Sequence, residues 1–261
     1  MASTATQGVD VRRAGERART RTGWLDSRHS FSFGRHYDQH NTHFGLLLVS
    51  NDDVVAAGTG FDTHPHRDME IVTWVLDGAL VHQDSTGHSG LIHPGLAQRM
   101  TAGSGILHSE RNDRRPLDNT ESGQPEPPVH KPVHFVQMWV LPDTDGLEPG
   151  YEQLDIGSAL DTGDLVVVAS GRPQHADERA ITIRQRHAAL HAGRLRPGGS
   201  VPVPSAPLAH LYVARGTADL EGVGALEAGD AARITGSDGQ RIVAGPDGAE
   251  VLIWEMHATL A

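Results

Sequence analysis

The sequence predicts an all-β chain of two tandem barrels, and three observations carry the prediction. Short apolar or alternating segments recur at intervals of roughly 8–12 residues, the spacing of sandwich and barrel strands. Glycine and proline, 30 and 15 of 261 residues, punctuate those segments as turns. The two halves also repeat one order of phrases. Trp74-Val75-Leu76-Asp77-Gly78-Ala79-Leu80 is paralleled by Leu211-Tyr212-Val213-Ala214-Arg215-Gly216-Thr217-Ala218, and Leu91-Ile92-His93-Pro94-Gly95-Leu96 by Leu226-Glu227-Ala228-Gly229-Asp230.

Taken in order, residues 10–20 read as a strand entering a short helical turn, and Gly23-Trp24-Leu25-Asp26 as a turn. Ser30-Phe31-Ser32-Phe33 alternates polar and aromatic side chains, the period-2 mark of a half-buried strand. Strands are predicted at 44–50, 54–59, 70–76, 79–83, 90–93, 98–101 and 134–141, with Asn/Asp/Gly turns between them. From 111 to 132 the chain carries five prolines and almost no large apolar residue, which predicts a long surface loop. The second half offers strands at 164–170, 181–186, 187–194, 209–215, 217–220, 230–235, 240–244 and 250–256.

Composition excludes several function classes. With no cysteine there is neither a disulfide framework nor a thiolate metal site, so any transition metal must be held by His, Asp or Glu. The longest apolar runs, at 46–49 and 165–169, fall far below a membrane span, and the first thirteen residues lack the apolar core of a leader peptide. A net charge of −11 with Lys/Arg runs no longer than two gives no footprint for nucleic acid or anionic membrane. These features predict a cytoplasmic protein.

Seventeen histidines make metal chemistry a natural question. In an extended strand, residues two apart share a face, so His64 and His66 can aim both imidazoles at one ion, while Pro65 points away and stiffens the backbone. A chain so rich in histidine would carry one such pair by chance, and this spacing alone leaves both readings open. A second segment, Met100-Thr101-Ala102-Gly103-Ser104-Gly105-Ile106-Leu107-His108-Ser109-Glu110, again sets two ligand types two apart, after glycines that allow a sharp turn. Two neighbouring strands with a pair each would form a site of three histidines and one carboxylate. That donor set suits Fe(II), Mn(II), Co(II), Ni(II), Cu(II) or Zn(II) and leaves room for water, dioxygen or substrate.

The first stretch resembles the first cupin motif: Gly58, five residues, His64-Pro65-His66, three residues, an acid, then Gly78. The six-residue gap before that last glycine places the acid at Ile71, whereas the chain has Glu70. A slip of one residue reverses the face of a strand, so Glu70 is not counted as a ligand. The second stretch resembles the end of the second cupin motif at Gly105, His108 and Asn112, with Gly103 and Ala97 departing from it. Those departures, with Gly23-Trp24-Leu25-Asp26-Ser27, His29-Ser30-Phe31-Ser32-Phe33, His82-Gln83-Asp84-Ser85-Thr86-Gly87 and Gln137-Met138-Trp139, resemble the pirin family, and most closely its bacterial quercetinases.

The resemblance implies a bicupin of two tandem jelly-roll-like barrels. Residues 1–142 would form the metal-binding domain, and 143–261 a C-terminal cupin lacking metal ligands, in which a lone His210 reads as structural. It implies metal ligands His64, His66, His108 and Glu110, with iron(II) the expected ion among those named above. The implied activity is that of a quercetin 2,3-dioxygenase, which opens the flavonol ring with dioxygen and releases carbon monoxide, with Glu110 as the base. The alternative is a regulatory pirin that binds a transcription factor or metabolic enzyme and senses redox state through the metal. An open apolar chamber at the metal favours the enzyme; a closed site beside an exposed apolar patch favours the regulator. Phe33, Met69, Trp74, Met100 and Met138 are nominated as chamber walls, with barrel core as their ordinary reading. His29 is read as a hydrogen-bonding residue, and His82 as orienting the Asp84 turn. A monomer is the simplest expectation for a bicupin that covers its own sheet edges.

Overall fold

The computed structural model describes residues 8–113 and 131–260, so most of the proline-rich segment lies outside the described residues. The first half forms strands β1 (Gly8–Arg12), β2 (Ala18–Arg21), β3 (Leu25–His29), β4 (Leu47–Val55), β5 (Thr59–His66), β6 (Glu70–Asp77), β7 (Leu80–Asp84), β8 (Ser89–Ile92), β9 (Leu96–Thr101), β10 (Ile106–Asn112), β11 (Val133–Val140) and β12 (Gly150–Asp155). The second half adds β13 (Val166–Ser170), β14 (Ile181–Thr182), β15 (Ala188–Leu195), β16 (Ser200–Pro202), β17 (Ala206–Leu220), β18 (Gly224–Glu227), β19 (Ala231–Ser237) and β20 (Arg241–Met256).

Two sheets build the first barrel. One runs β12-β9-β6-β11-β4-β3-β2, and the other β5-β10-β7-β8. The second barrel is a single curled sheet of order β1-β19-β17-β20-β15-β13-β14, with β16 on β20 and β18 on β17. The fold is therefore all-β with two cupin barrels, as the sequence predicts. The halves also trade edges: β1, first in the chain, pairs with β19 of the second barrel, while β12 pairs with β9 of the first. The edges of β19 and β9 are thereby covered.

Several predicted breaks are bulges rather than turns. Segments 209–215 and 217–220 form one fifteen-residue strand, β17, whose register shifts at Val213/Arg215 and Gly216/Ala218. Gly216 sits at φ +70°, and a Cβ there would lie 2.1 Å from the Gly248 carbonyl oxygen, so a glycine marks a bend where two backbones touch. Bulges of this kind let a long strand turn a barrel corner. The same holds for 240–244 and 250–256, which join as β20.

Strand β6 explains why its sequence is apolar throughout. Ile71, Thr73 and Val75 face into the first barrel, whereas Val72, Trp74 and Leu76 pack outward into a core shared with Leu190, Tyr212, Leu252 and Trp254 of the second. A strand buried on both faces loses the alternation of a half-exposed one. Two hydrogen bonds bridge the barrels inside this junction: Trp74 Nε1 donates to Glu250 Oε1 at 2.7 Å, and the Tyr212 hydroxyl donates to Asp52. Glu70 belongs to the outward face. It is fully buried, with Oε2 3.3 Å from the Arg184 backbone N–H and 3.9 Å from the Arg99 guanidinium, on the opposite side of the sheet from the histidines.

Candidate metal centre

Strands β5 and β10 run antiparallel, with His108 opposite His64 and Ile106 opposite His66. This register requires close backbones, and Gly60 permits it: a Cβ there would sit 2.4 Å from the Glu110 carbonyl oxygen. The three imidazoles converge, with ring centroids 4.5 Å apart for His64–His108 and 4.9 Å for both His64–His66 and His66–His108. The Nε2 atoms of His64 and His108 lie 3.1 Å apart. Two donors bound to one ion at about 2.0–2.1 Å are about 3.0–3.4 Å apart, so the spacing suits a shared cation. His64 Nδ1 is 2.7 Å from the Asp62 carbonyl oxygen, a contact that leaves Nε2 for an ion.

Burial, reinforced by the neighbouring imidazoles, pushes His66 down to about 4 and His108 down to about 3. Both rings are neutral at pH 7 and keep the lone pair a metal needs. The donor set and its electrostatics thus fit a divalent transition ion.

Glu110 is placed differently from the histidines. Its register shifts by a bulge after His108, and its carboxylate groups with His108 and His82 within 4.8 Å rather than with His64 and His66. The four nominated residues therefore form two overlapping clusters that share His108. Both Glu110 oxygens accept hydrogen bonds from Gln137 Nε2, at 2.7 and 3.0 Å, and Trp139 Nε1 donates to Gln137 Oε1 at 3.0 Å. The Trp139 contact fixes which end of the amide is the donor. His82 orients the Asp84 turn as its sequence position suggests, at 3.3 Å, but it also lies within ligand range of Glu110.

A cavity of about 910 Å³ opens at this cluster, between β2–β3 on one side and β5 on the other. Its volume lies within the range of about 300–1,000 Å³ common for ligand pockets. Trp24, Phe33, Phe61 and Trp139 supply aromatic walls, and Asn51, Asp53, Glu110 and Gln137 a polar floor. Of the five nominated wall residues only Phe33 lines this chamber; Trp74, Met100 and Met138 are core, and Met69 packs beside Met100. His29 does hydrogen-bond, with Asn51 at 2.9 Å and Thr20 at 2.8 Å. Burial, with Asp52 and Glu110 nearby, raises Asp53 up to about 7 despite a hydrogen bond from Ser27.

Gln137, Trp139, Asn51 and Asp53 were not singled out as site residues by spacing. The available signal was Gln137 itself, a polar side chain on the face of β11 that otherwise carries Val133, Phe135 and Trp139.

Two cupin barrels, the first holding an imidazole cluster beneath an aromatic chamber, define a bicupin able to bind a metal. Residues 10–140 match the Pirin family and residues 167–256 the Quercetinase C-terminal cupin domain, and the chain belongs to the pirin family. It is 55% identical over 255 residues to a Mycobacterium bovis protein named "Putative quercetin 2,3-dioxygenase Mb0187c", covering 98% of both chains. It is 44% identical over 145 residues to the quercetin 2,3-dioxygenase of Escherichia coli K12, spanning 56% of this chain and 57% of that one. Among solved structures it resembles the bacterial pirin YhhW from Escherichia coli in complex with nickel(II), with a TM-score of 0.80 and 31% identity over 97% of this chain and 100% of that one.

Proposed function

We propose that this pirin is a metal-dependent dioxygenase of the quercetin 2,3-dioxygenase type, with residues 1–142 as its metal-binding domain and 143–261 as its supporting cupin. His64, His66, His108 and Glu110 are the assigned ligands, and iron(II) is the expected ion among the divalent metals the set accepts. The observation that carries this reading is the open aromatic chamber of about 910 Å³ at the imidazole cluster. A regulator with a closed site would need an exposed apolar patch; the exposed large apolar residues among those described, Val9, Tyr37, Leu107 and Val243, are scattered singly.

Held by His64, His66, His108 and Glu110, a divalent ion would supply the Lewis acidity that lowers the pKa of a flavonol 3-hydroxyl. Glu110, 3% exposed, is the base that takes that proton. Gln137 holds both of its oxygens, so the carboxylate waits as an acceptor in a fixed place. Trp24, Phe33, Phe61 and Trp139 present aromatic faces to a planar, multi-ring substrate and keep bulk water away. Overall, both atoms of dioxygen enter the ring-opened ester and one ring carbon leaves as carbon monoxide. Quercetin added anaerobically and then aerated should be consumed with carbon monoxide release; a metal-loaded protein that leaves quercetin intact contradicts the proposal.

A further inference from the structure

The C-terminal barrel carries no metal-binding sequence pattern, yet its fold gathers a second group of metal-ligating side chains. We propose that His175, His191 and Glu255 form a second divalent-cation site, remote from the first cluster and not dependent on the dioxygenase reading. The residues lie 16 and 64 positions apart in the chain and meet only through topology. On the antiparallel pair β15–β20, His191 is opposite Ile253 and Ala189 opposite Glu255, which makes His191 and Glu255 diagonal neighbours on one face. His175 arrives from the short turn Pro173–His175 that follows β13, the strand beside β15.

One ligand atom from each of the three lies within 4.8 Å of the other two. His191 Nε2 and Glu255 Oε2 are 2.9 Å apart, close to the spacing of about 3 Å that two donors on one ion adopt. His175 Nδ1 is 3.0 Å from Ser170 Oγ, which itself accepts the Arg172 backbone N–H at 3.0 Å. An outer hydrogen bond of this kind holds a ligating ring in place and leaves its other nitrogen for the ion. His191 and Glu255 are buried, while His175 stands in the wall of a cavity of about 700 Å³, so the inner ligands are preformed and the outer one gives access. Two imidazoles and a carboxylate suit Zn(II), Ni(II) or Co(II).

The second Glu255 oxygen, Oε1, accepts from Arg172 and lies 2.9 Å from His257 Nε2. The guanidinium is thus the resident positive charge, and an incoming cation competes with it. Arg172 also lines the cavity, where it can move as the ion enters. Removing that charge should therefore strengthen metal binding, a response that a purely structural hydrogen-bond cluster would not give.

The test is a titration of the full chain with Zn(II), read by equilibrium dialysis, and with Co(II), read by its visible absorption. The variant His64→Ala/His66→Ala/His108→Ala should keep one tight equivalent, Arg172→Met on that background should bind at least about tenfold tighter, and His191→Ala should abolish binding. Because His191 is buried, the partly exposed His175→Ala serves as a second check: on the wild-type background it should take the stoichiometry from two to one, with the circular dichroism spectrum unchanged. A wild-type stoichiometry of one that His175→Ala leaves untouched, or an equivalent on the His64→Ala/His66→Ala/His108→Ala background that survives both His175→Ala and His191→Ala, overturns the assignment.

Discussion

Gln137 Nε2 reaches both carboxylate oxygens of Glu110, at 2.7 and 3.0 Å, while its own carbonyl oxygen accepts from Trp139 Nε1. One amide therefore sets the position of the proposed base, and its orientation is set in turn by an indole in the chamber wall. The arrangement belongs to the class of outer hydrogen bonds that orient ligands and bases.

Gln137→Leu keeps approximate volume but removes the donor. It should lower turnover or metal affinity by about 10–100-fold, the usual cost of losing such a partner. Steady-state kinetics with metal content measured on the same sample checks this. Wild-type kinetics in the variant would mean that Glu110 needs no such support.

Glu110 and His64 should separate by function. Glu110→Gln should retain the metal of the first barrel and lose turnover, whereas His64→Ala, which removes the ring nitrogen 3.1 Å from His108 Nε2, should lose both that metal and turnover. Metal analysis beside the quercetin assay decides. Stoichiometric metal in His64→Ala, measured with the C-terminal cluster removed by His175→Ala, would take His64 out of the ligand set.

The buried junction between barrels should dominate stability. Trp74 is fully buried in the shared core and donates to Glu250, so Trp74→Ala should cost about 3–5 kcal/mol, the range for deleting a large aromatic core side chain. Urea denaturation measures it, and a loss under 1 kcal/mol would show that the two halves do not depend on this contact.

His210 should make stability fall in mild acid. Burial, with the Arg233 and Arg17 guanidiniums nearby, pushes it down to about 3, against about 6.5 in an unfolded chain. Between those values the unfolded state takes up a proton that the folded state refuses. Its contribution is therefore complete above about pH 6.5 and is lost towards pH 3, at up to about 1.4 kcal/mol per pH unit. His210→Leu should flatten the stability profile between about pH 4 and 6 by that amount; parallel profiles would count against the assignment.

Much of this molecule is legible in its residues. The one-residue gap error that discounts Glu70 corresponds to a real reversal of face, because Glu70 shares its side of β6 with Trp74, towards Arg99 and Arg184. The fixed period of two along a strand is what ties a one-residue offset to a change of face. His64, His66 and His108 converge for the same reason: two-residue spacing on paired strands leaves little freedom. What spacing does not convey is long-range convergence. Gln137 reaches Glu110 from a strand 27 residues away, and His175, His191 and Glu255 share no local pattern. Bulges are hidden too, since Gly216 reads as a turn until the strand beside it is known.

The most direct test of the central claim is metal analysis of protein purified without chelators, joined to quercetin consumption and carbon monoxide release on the same sample, for wild type and His108→Ala. The wild type should carry tightly bound metal and release carbon monoxide as quercetin is consumed. His108, shared by both overlapping clusters, should be indispensable to the catalytic metal and to turnover. A His108→Ala protein that still releases carbon monoxide at the wild-type rate would contradict the account.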